Sequence, residues 1–126
     1  MNMVFWVAAG GAIGASARYL VGVGAARLLG SGFPGGTLIV NVLGCFLMGI
    51  LIEAAALKLS LSNEMRTFLA TGILGGFTTF SAFSLDFAVL WERKETAAAL
   101  AYLGSSVVFS VLALFLGLLL VRMVLE

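Results

Sequence analysis

Three stretches of this chain carry no charged residue: 28–52, 67–85 and 96–121. A helix crosses the hydrocarbon core of a bilayer with about 20 largely apolar residues. Each stretch is long enough, or nearly so, to do this. A fourth, from residue 3 to about 29, is interrupted only by Arg18 and Arg27. The pattern predicts four membrane spans, at roughly 3–28, 37–57, 65–90 and 97–123, in a single domain covering residues 1–126. The expected fold is an all-α integral membrane protein. Only 10% of residues are charged, against about 25% in soluble domains. No polar domain fits between the spans, so the chain acts in or at the bilayer. A formal charge of +1 gives no support for nucleic-acid binding.

Several chemistries drop out early. Cys45 is the only cysteine and there is no histidine. An internal disulfide is impossible, two-cysteine metal chemistry is absent, and the commonest general base and metal ligand is missing. The start, Met1-Asn2-Met3-Val4-Phe5, has no basic region, and no cleaved signal peptide is expected. Paired carboxylates, a catalytic triad and a phosphate-binding loop between strand and helix are all lacking, so the chain is not read as an enzyme.

The third span is unlike a plain membrane helix. From Gly72 to Asp86 it reads Gly-Ile-Leu-Gly-Gly-Phe-Thr-Thr-Phe-Ser-Ala-Phe-Ser-Leu-Asp. Adjacent glycines weaken a helix. Freed backbone at membrane depth is tolerated only where protein buries it or it lines a polar cavity. A break over 75–80 is therefore expected, with carbonyls and Ser/Thr hydroxyls available to an ion. Beyond it, Phe80, Phe83 and Phe87 form one helical stripe, while Ser81 and Ser84 lie on a neighbouring one. Such a Phe stripe is ordinarily packing; beside a break and two serines it becomes a candidate pathway. Asp86 falls near the span's end, either at the mouth of that pathway or as an interfacial carboxylate.

The other spans add polar groups at depth. In span one, Gly10, Gly14, Arg18 and Gly22 recur every fourth residue. Small residues at that spacing let helices approach closely. A charge as deep as Arg18 costs about 2.5–3.5 kcal/mol or more and usually faces a bundle interior or water. It is read as an electrostatic element of a pathway, or as the partner of a buried carboxylate or freed carbonyls. Thr37, Asn41 and Cys45 share a face of span two, and Asn41 is either interhelical glue or a pore-lining donor. Tyr102, Ser106 and Ser110 share a stripe of span four. There, serines bonding back to their own helix are the plain alternative.

Basic residues normally bias topology. Here each side of the membrane carries three, Lys58, Arg66 and Arg122 against Arg27, Arg93 and Lys94. The balance suits insertion both ways, and an antiparallel dimer follows, since four thin helices alone rarely enclose a pathway. The one deep charge is a cation and no acid sits at midplane, which favours an anion. Hydroxyls, an amide and the positive edges of phenyl rings suit a small anion that accepts strong hydrogen bonds. They suit a phosphate or carboxylate poorly, since those usually meet Arg forks.

Over nearly its whole length the chain resembles the Fluc fluoride channels, the CrcB family. The matching pieces are Gly10-Gly-Ala-Ile-Gly-Ala with Arg18-Tyr, then Gly36-Thr-Leu-Ile-Val-Asn41, then Thr71-Gly-Ile-Leu-Gly-Gly-Phe-Thr-Thr-Phe-Ser-Ala-Phe-Ser. The resemblance implies a dual-topology antiparallel homodimer in a prokaryotic cell membrane, with two fluoride pores giving passive efflux. It also implies a structural Na⁺ at the dimer centre, held by backbone carbonyls that map to Gly75 and Thr78, and no organic cofactor. Phe80 and Phe83 match the family's fluoride-contacting rings and Asn41 its pore-lining amide. Ser81 and Ser84 match hydroxyls near the path, and Ser110 part of a polar track with Thr37 on the same route. Arg18 matches the arginine of a positive vestibule. Two positions depart from the pattern: Asp86, where many relatives have Glu, and Leu114, where the track can carry Thr. The rival readings are a small proton-coupled exporter of organic cations, similar to the small multidrug resistance transporters, and a non-transporting assembly subunit. The exporter needs an acid deep in span one, where this chain has Arg18.

Overall fold

The computed structural model describes residues 2–30, 32–58 and 60–125. Among these the chain is helical, with no strand. Four helical rods are long and apolar enough to cross a membrane: Met3–Leu29, Gly35–Leu57, Asn63–Glu92 and Thr96–Leu125. Each of the four expected spans falls within one of them.

The ends of the rods follow from local chemistry. Helix α1 (Asn2–Leu29) stops at Gly30, which takes φ 79° while its N–H donates to the Ala26 carbonyl at 3.0 Å. That left-handed stop is one glycine adopts without steric cost. Pro34 then precedes α2 (Gly35–Leu57). The third rod opens with α3 (Asn63–Arg66), where the Ser62 hydroxyl caps the first turn by accepting from the Met65 N–H at 3.1 Å. It continues as a π-helix over Thr67–Leu74, then α4 (Gly75–Phe77). Thr78 and Thr79 are extended, and α5 (Phe80–Glu92) follows. The last rod is α6 (Thr96–Leu125).

This backbone differs from the sequence expectation in two ways. Non-helical backbone was expected over 75–80; Gly75 to Phe77 are helical and Phe80 already begins α5, so extended conformation is confined to Thr78 and Thr79. The wide π turns ahead of them were not foreseen. A π-helix is uncommon beyond a single turn and often marks a functional segment.

Two close backbone contacts set the packing. Helix α1 lies against the π-helix through Gly10 and Gly14. A Cβ on Gly10 would sit 2.6 Å from the Phe68 carbonyl oxygen, and one on Gly14 would collide with that of Ile73. Helices α2 and α6 meet reciprocally. A Cβ on Gly49 would strike the Leu114 carbonyl oxygen and one on Gly117 that of Phe46. Without a hydrophobic drive between helices in lipid, such backbone approach is a main source of association. The buried cluster of Phe83, Leu90, Ala99 and Tyr102 joins α5 to α6 toward one membrane end. Most of the outer surface is exposed Leu, Val, Ile and Phe, as a lipid-facing surface requires.

Candidate anion site beside the extended pair

Two consecutive extended residues inside a membrane rod leave backbone groups without their helical partners. The structure redirects them to specific side chains. The Thr79 N–H donates to Asn41 Oδ1 at 2.8 Å, and the Asn41 Nδ2 donates to the Thr79 carbonyl at 2.9 Å. One amide side chain thus holds both backbone groups of Thr79, as a neighbouring strand would. The Thr79 hydroxyl accepts from the Ala82 N–H at 3.1 Å and caps α5. Arg18 Nε donates to the Gly76 carbonyl at 3.0 Å, and the Thr78 hydroxyl to the Leu74 carbonyl at 3.0 Å.

Two carbonyls lose their usual donors in this arrangement. In an unbroken helix the Thr79 N–H would serve the Gly75 carbonyl, and the Ala82 N–H that of Thr78. Those N–H groups go to Asn41 and to the Thr79 hydroxyl instead. The donor set at Gly75 and Thr78 is therefore neutral backbone oxygen, which suits a hard cation. Gly75 is exposed on the surface of the single protomer.

On the other side of Asn41 a cavity of about 310 Å³ opens between α2, α5 and α6. Asn41, Cys45, Thr79, Phe80, Phe83, Ser106 and Ser110 are among its lining residues. The Ser106 and Ser110 hydroxyls are buried, Ser106 within reach of the Tyr102 side chain and Ser110 within reach of that of Cys45, and neither makes a hydrogen bond of good geometry. Buried polar groups are almost always satisfied, and these two hydroxyls are the weakly engaged donors among the residues that line the cavity. Asn41 has spent one donor and one acceptor on Thr79. Its second N–H is not used in either bond. Phe80 and Phe83 stand with ring centroids 5.5 Å apart. The aromatic contacts continue from Phe83 to Tyr102 at 5.3 Å and from Tyr102 to Phe33 of the first loop at 5.5 Å. Tyr102 also donates its hydroxyl to Asp86 Oδ2 at 3.1 Å.

Of the candidate pathway residues, Asn41, Phe80, Phe83 and Ser110 thus line one cavity. Thr37 does not. It lines two others, one reaching Asp86 and one reaching Arg18. Ser81 is exposed and touches the site only through a 3.3 Å contact of its hydroxyl with that of Thr79. Ser84 is exposed and is not among the lining residues. Arg18 faces a second cavity beside Tyr19, Gly36, Thr37 and Thr79. Sequence reasoning missed the part played by Thr79, which had no signal beyond its place between Thr78 and Phe80. It also left Ser106 out of the pathway, although its spacing from Tyr102 and Ser110 pointed there.

The family model described as CrcB-like protein, Camphor Resistance (CrcB), matches residues 5–118. A relative from Chelativorans sp. (strain BNC1), named fluoride-specific ion channel FluC, is 62% identical over 125 residues, covering 99% of this chain and all of the relative. One of the same name from Cereibacter sphaeroides (strain ATCC 17029 / ATH 2.4.9) is 56% identical over 97% of this chain and 96% of its own. Another, from Mesorhizobium japonicum, is 54% identical over 92% and 93%.

Proposed function

The chain belongs to the CrcB family, and we propose that it is a fluoride channel giving passive efflux across a prokaryotic cell membrane. It is a multi-pass membrane protein and not an enzyme. The observation that carries the reading is the cavity beside the extended pair, lined by Asn41, Ser106, Ser110 and the rings of Phe80 and Phe83. Fluoride is small and accepts strong hydrogen bonds. Hydroxyl and amide donors replace its water, and the positive edges of phenyl rings stabilise it without trapping it. Conduction needs binding that is favourable yet weak and repeated, which such a set provides.

In this reading the working unit is an antiparallel homodimer with two pores. Phe80 is 76% exposed in the single protomer, and Gly75 is exposed as well. A second copy would cover both. The equal number of basic residues on the two sides is compatible with insertion either way. The carbonyls of Gly75 and Thr78 from the two protomers would then hold a structural Na⁺ at the centre, where the ion would tie the two third spans together. Arg18 supports the reading from the other side. Its guanidinium serves the Gly76 carbonyl and faces a cavity, and it occupies the depth at which a proton-coupled exporter would need a carboxylate.

The test is anion efflux from liposomes holding the purified protein, read with a fluoride electrode and repeated for chloride. Fast fluoride release without chloride release is expected. Phe80→Ile and Phe83→Ile should sharply reduce that release while the dimer persists on gel filtration. Unaltered flux in both variants would sink the assignment of the rings. No fluoride release from a folded dimer would return the assembly-subunit reading.

A further inference from the structure

The loop after α5 reads Glu92-Arg93-Lys94-Glu95, two acids and two bases that look like a neutral, solvated turn. The structure separates them. Helix α5 ends with the Arg93 N–H donating to the Val89 carbonyl at 3.0 Å and the Lys94 N–H to that of Trp91 at 3.0 Å. The Glu95 N–H returns to the Leu90 carbonyl at 3.0 Å, and Lys94 takes φ 63°. A helix end closed by such a back-bonded, left-handed turn has a fixed direction of exit. Arg93 leaves it toward a cavity of about 340 Å³ formed with the first loop, Thr37, Leu85 and Asp86. Glu92 instead lines a separate hollow with Phe87, Ala88 and Trp91.

The Arg93 cavity is continuous in its lining with the deeper one beside Arg18. Gly22, Ala26, Gly36 and Thr37 line both. Together their lining residues run from Arg93 at the membrane end to Arg18 at depth. Its rim carries one acid, Asp86, already bonded to Tyr102, and one base, Arg93. Among the described residues Arg93 is in no ion pair. A carboxylate alone at the rim would repel an entering anion. A cation across the same opening offsets that charge, and low-dielectric walls strengthen its effect on an entering anion.

We propose that Arg93 is the residue that draws the transported anion into this mouth, acting on the rate of entry rather than on the selective step. The inference rests on the fluoride-channel reading. It adds a specific rim residue to the cation already recognised at depth.

The test compares wild type, Arg93→Gln and Arg93→Lys in liposomes, with fluoride low enough for entry to limit efflux. Sodium gluconate sets the ionic strength at about 0.01 M and about 1 M, where screening lengths are about 30 Å and about 3 Å. One charge across the opening changes the local anion concentration about two- to fivefold at low salt. R93Q should release fluoride that much more slowly than wild type at low salt and match it at high salt, and R93K should match wild type at both. Equal rates for R93Q and wild type at low salt would overturn the proposal, and so would a deficit that persists at high salt. Where R93Q does not assemble, the wild type decides, because efflux that fails to fall as gluconate rises contradicts steering. A wild type that passes no fluoride overturns the channel reading itself, a different result from a conducting wild type matched by R93Q.

Discussion

Asn41→Leu removes the side chain that serves both backbone groups of Thr79. The change keeps the number and branching of side-chain heavy atoms while removing every hydrogen-bonding group. Two contacts disappear, the Thr79 N–H to Oδ1 at 2.8 Å and Nδ2 to the Thr79 carbonyl at 2.9 Å. Each buried group left without a partner costs about 1–3 kcal/mol, and at membrane depth water is not at hand to repair it. The expected destabilisation is about 2–6 kcal/mol. Unfolding in mixed micelles, followed by far-UV circular dichroism during detergent titration, measures it. Asn41→Asp is the informative companion. As a neutral acid it accepts from the Thr79 N–H and donates to the Thr79 carbonyl, restoring both bonds; ionised, it presents an oxygen to that carbonyl and loses one. N41D should therefore lose less stability than N41L in the same titration. If N41L unfolds within about 0.5 kcal/mol of wild type, the clamp is not what holds the extended pair. A full loss of flux at unchanged stability would assign Asn41 to the ion alone.

Further expectations follow from contacts elsewhere in the bundle. Gly14→Ala puts a methyl against the Ile73 carbonyl and should cost about 1–3 kcal/mol by the same titration. Gly24→Ala has nothing within 4 Å of the added carbon, so it should be neutral or stabilise by up to about 1 kcal/mol through helix propensity. Equal effects of the two would refute the close-approach argument. Glu53 and Arg122 tie the ends of α2 and α6 with 2.6 Å between Oε2 and Nε, yet the Arg122 side chain is 47% exposed. Glu53→Gln should therefore cost no more than about 1 kcal/mol, and less as salt is added.

How far the sequence reveals this molecule depends on which physical constraint acts at each place. Span number follows from uncharged length, because the bilayer admits little else at that composition. The third rod's unusual middle was legible too, since paired glycines and hydroxyls serve no purpose in a plain span. Its exact form was not. Whether Gly75 to Phe77 stay helical depends on where the freed groups of Thr79 find partners, and those lie on Asn41, 38 residues away. The π-helix over Thr67–Leu74 is similarly a matter of fit against α1. Nothing in Thr-Phe-Leu-Ala-Thr-Gly-Ile-Leu distinguishes it from an α-helix.

Side-chain position divides the candidate site along the same line. Asn41, Phe80, Phe83 and Ser110 come together because a four-residue spacing fixes a face, and the faces of α2, α5 and α6 converge. Thr37 shares the face of Asn41 but sits one turn nearer the membrane end, where the bundle opens into the mouth beside Asp86. Periodicity gives direction around a helix, while depth relative to neighbouring helices comes only from packing. The same reason hid Arg93. A run of two acids and two bases has no net sign in the sequence, and its charges are told apart only when a rigid turn places Arg93 at one cavity and Glu92 at another hollow. The polar groups at depth are thus of two kinds. Thr79 and Asn41 satisfy each other with two well-formed bonds and hold the backbone in shape, whereas Ser106 and Ser110 have only the neighbouring Tyr102 and Cys45 side chains within reach and no bond of comparable geometry.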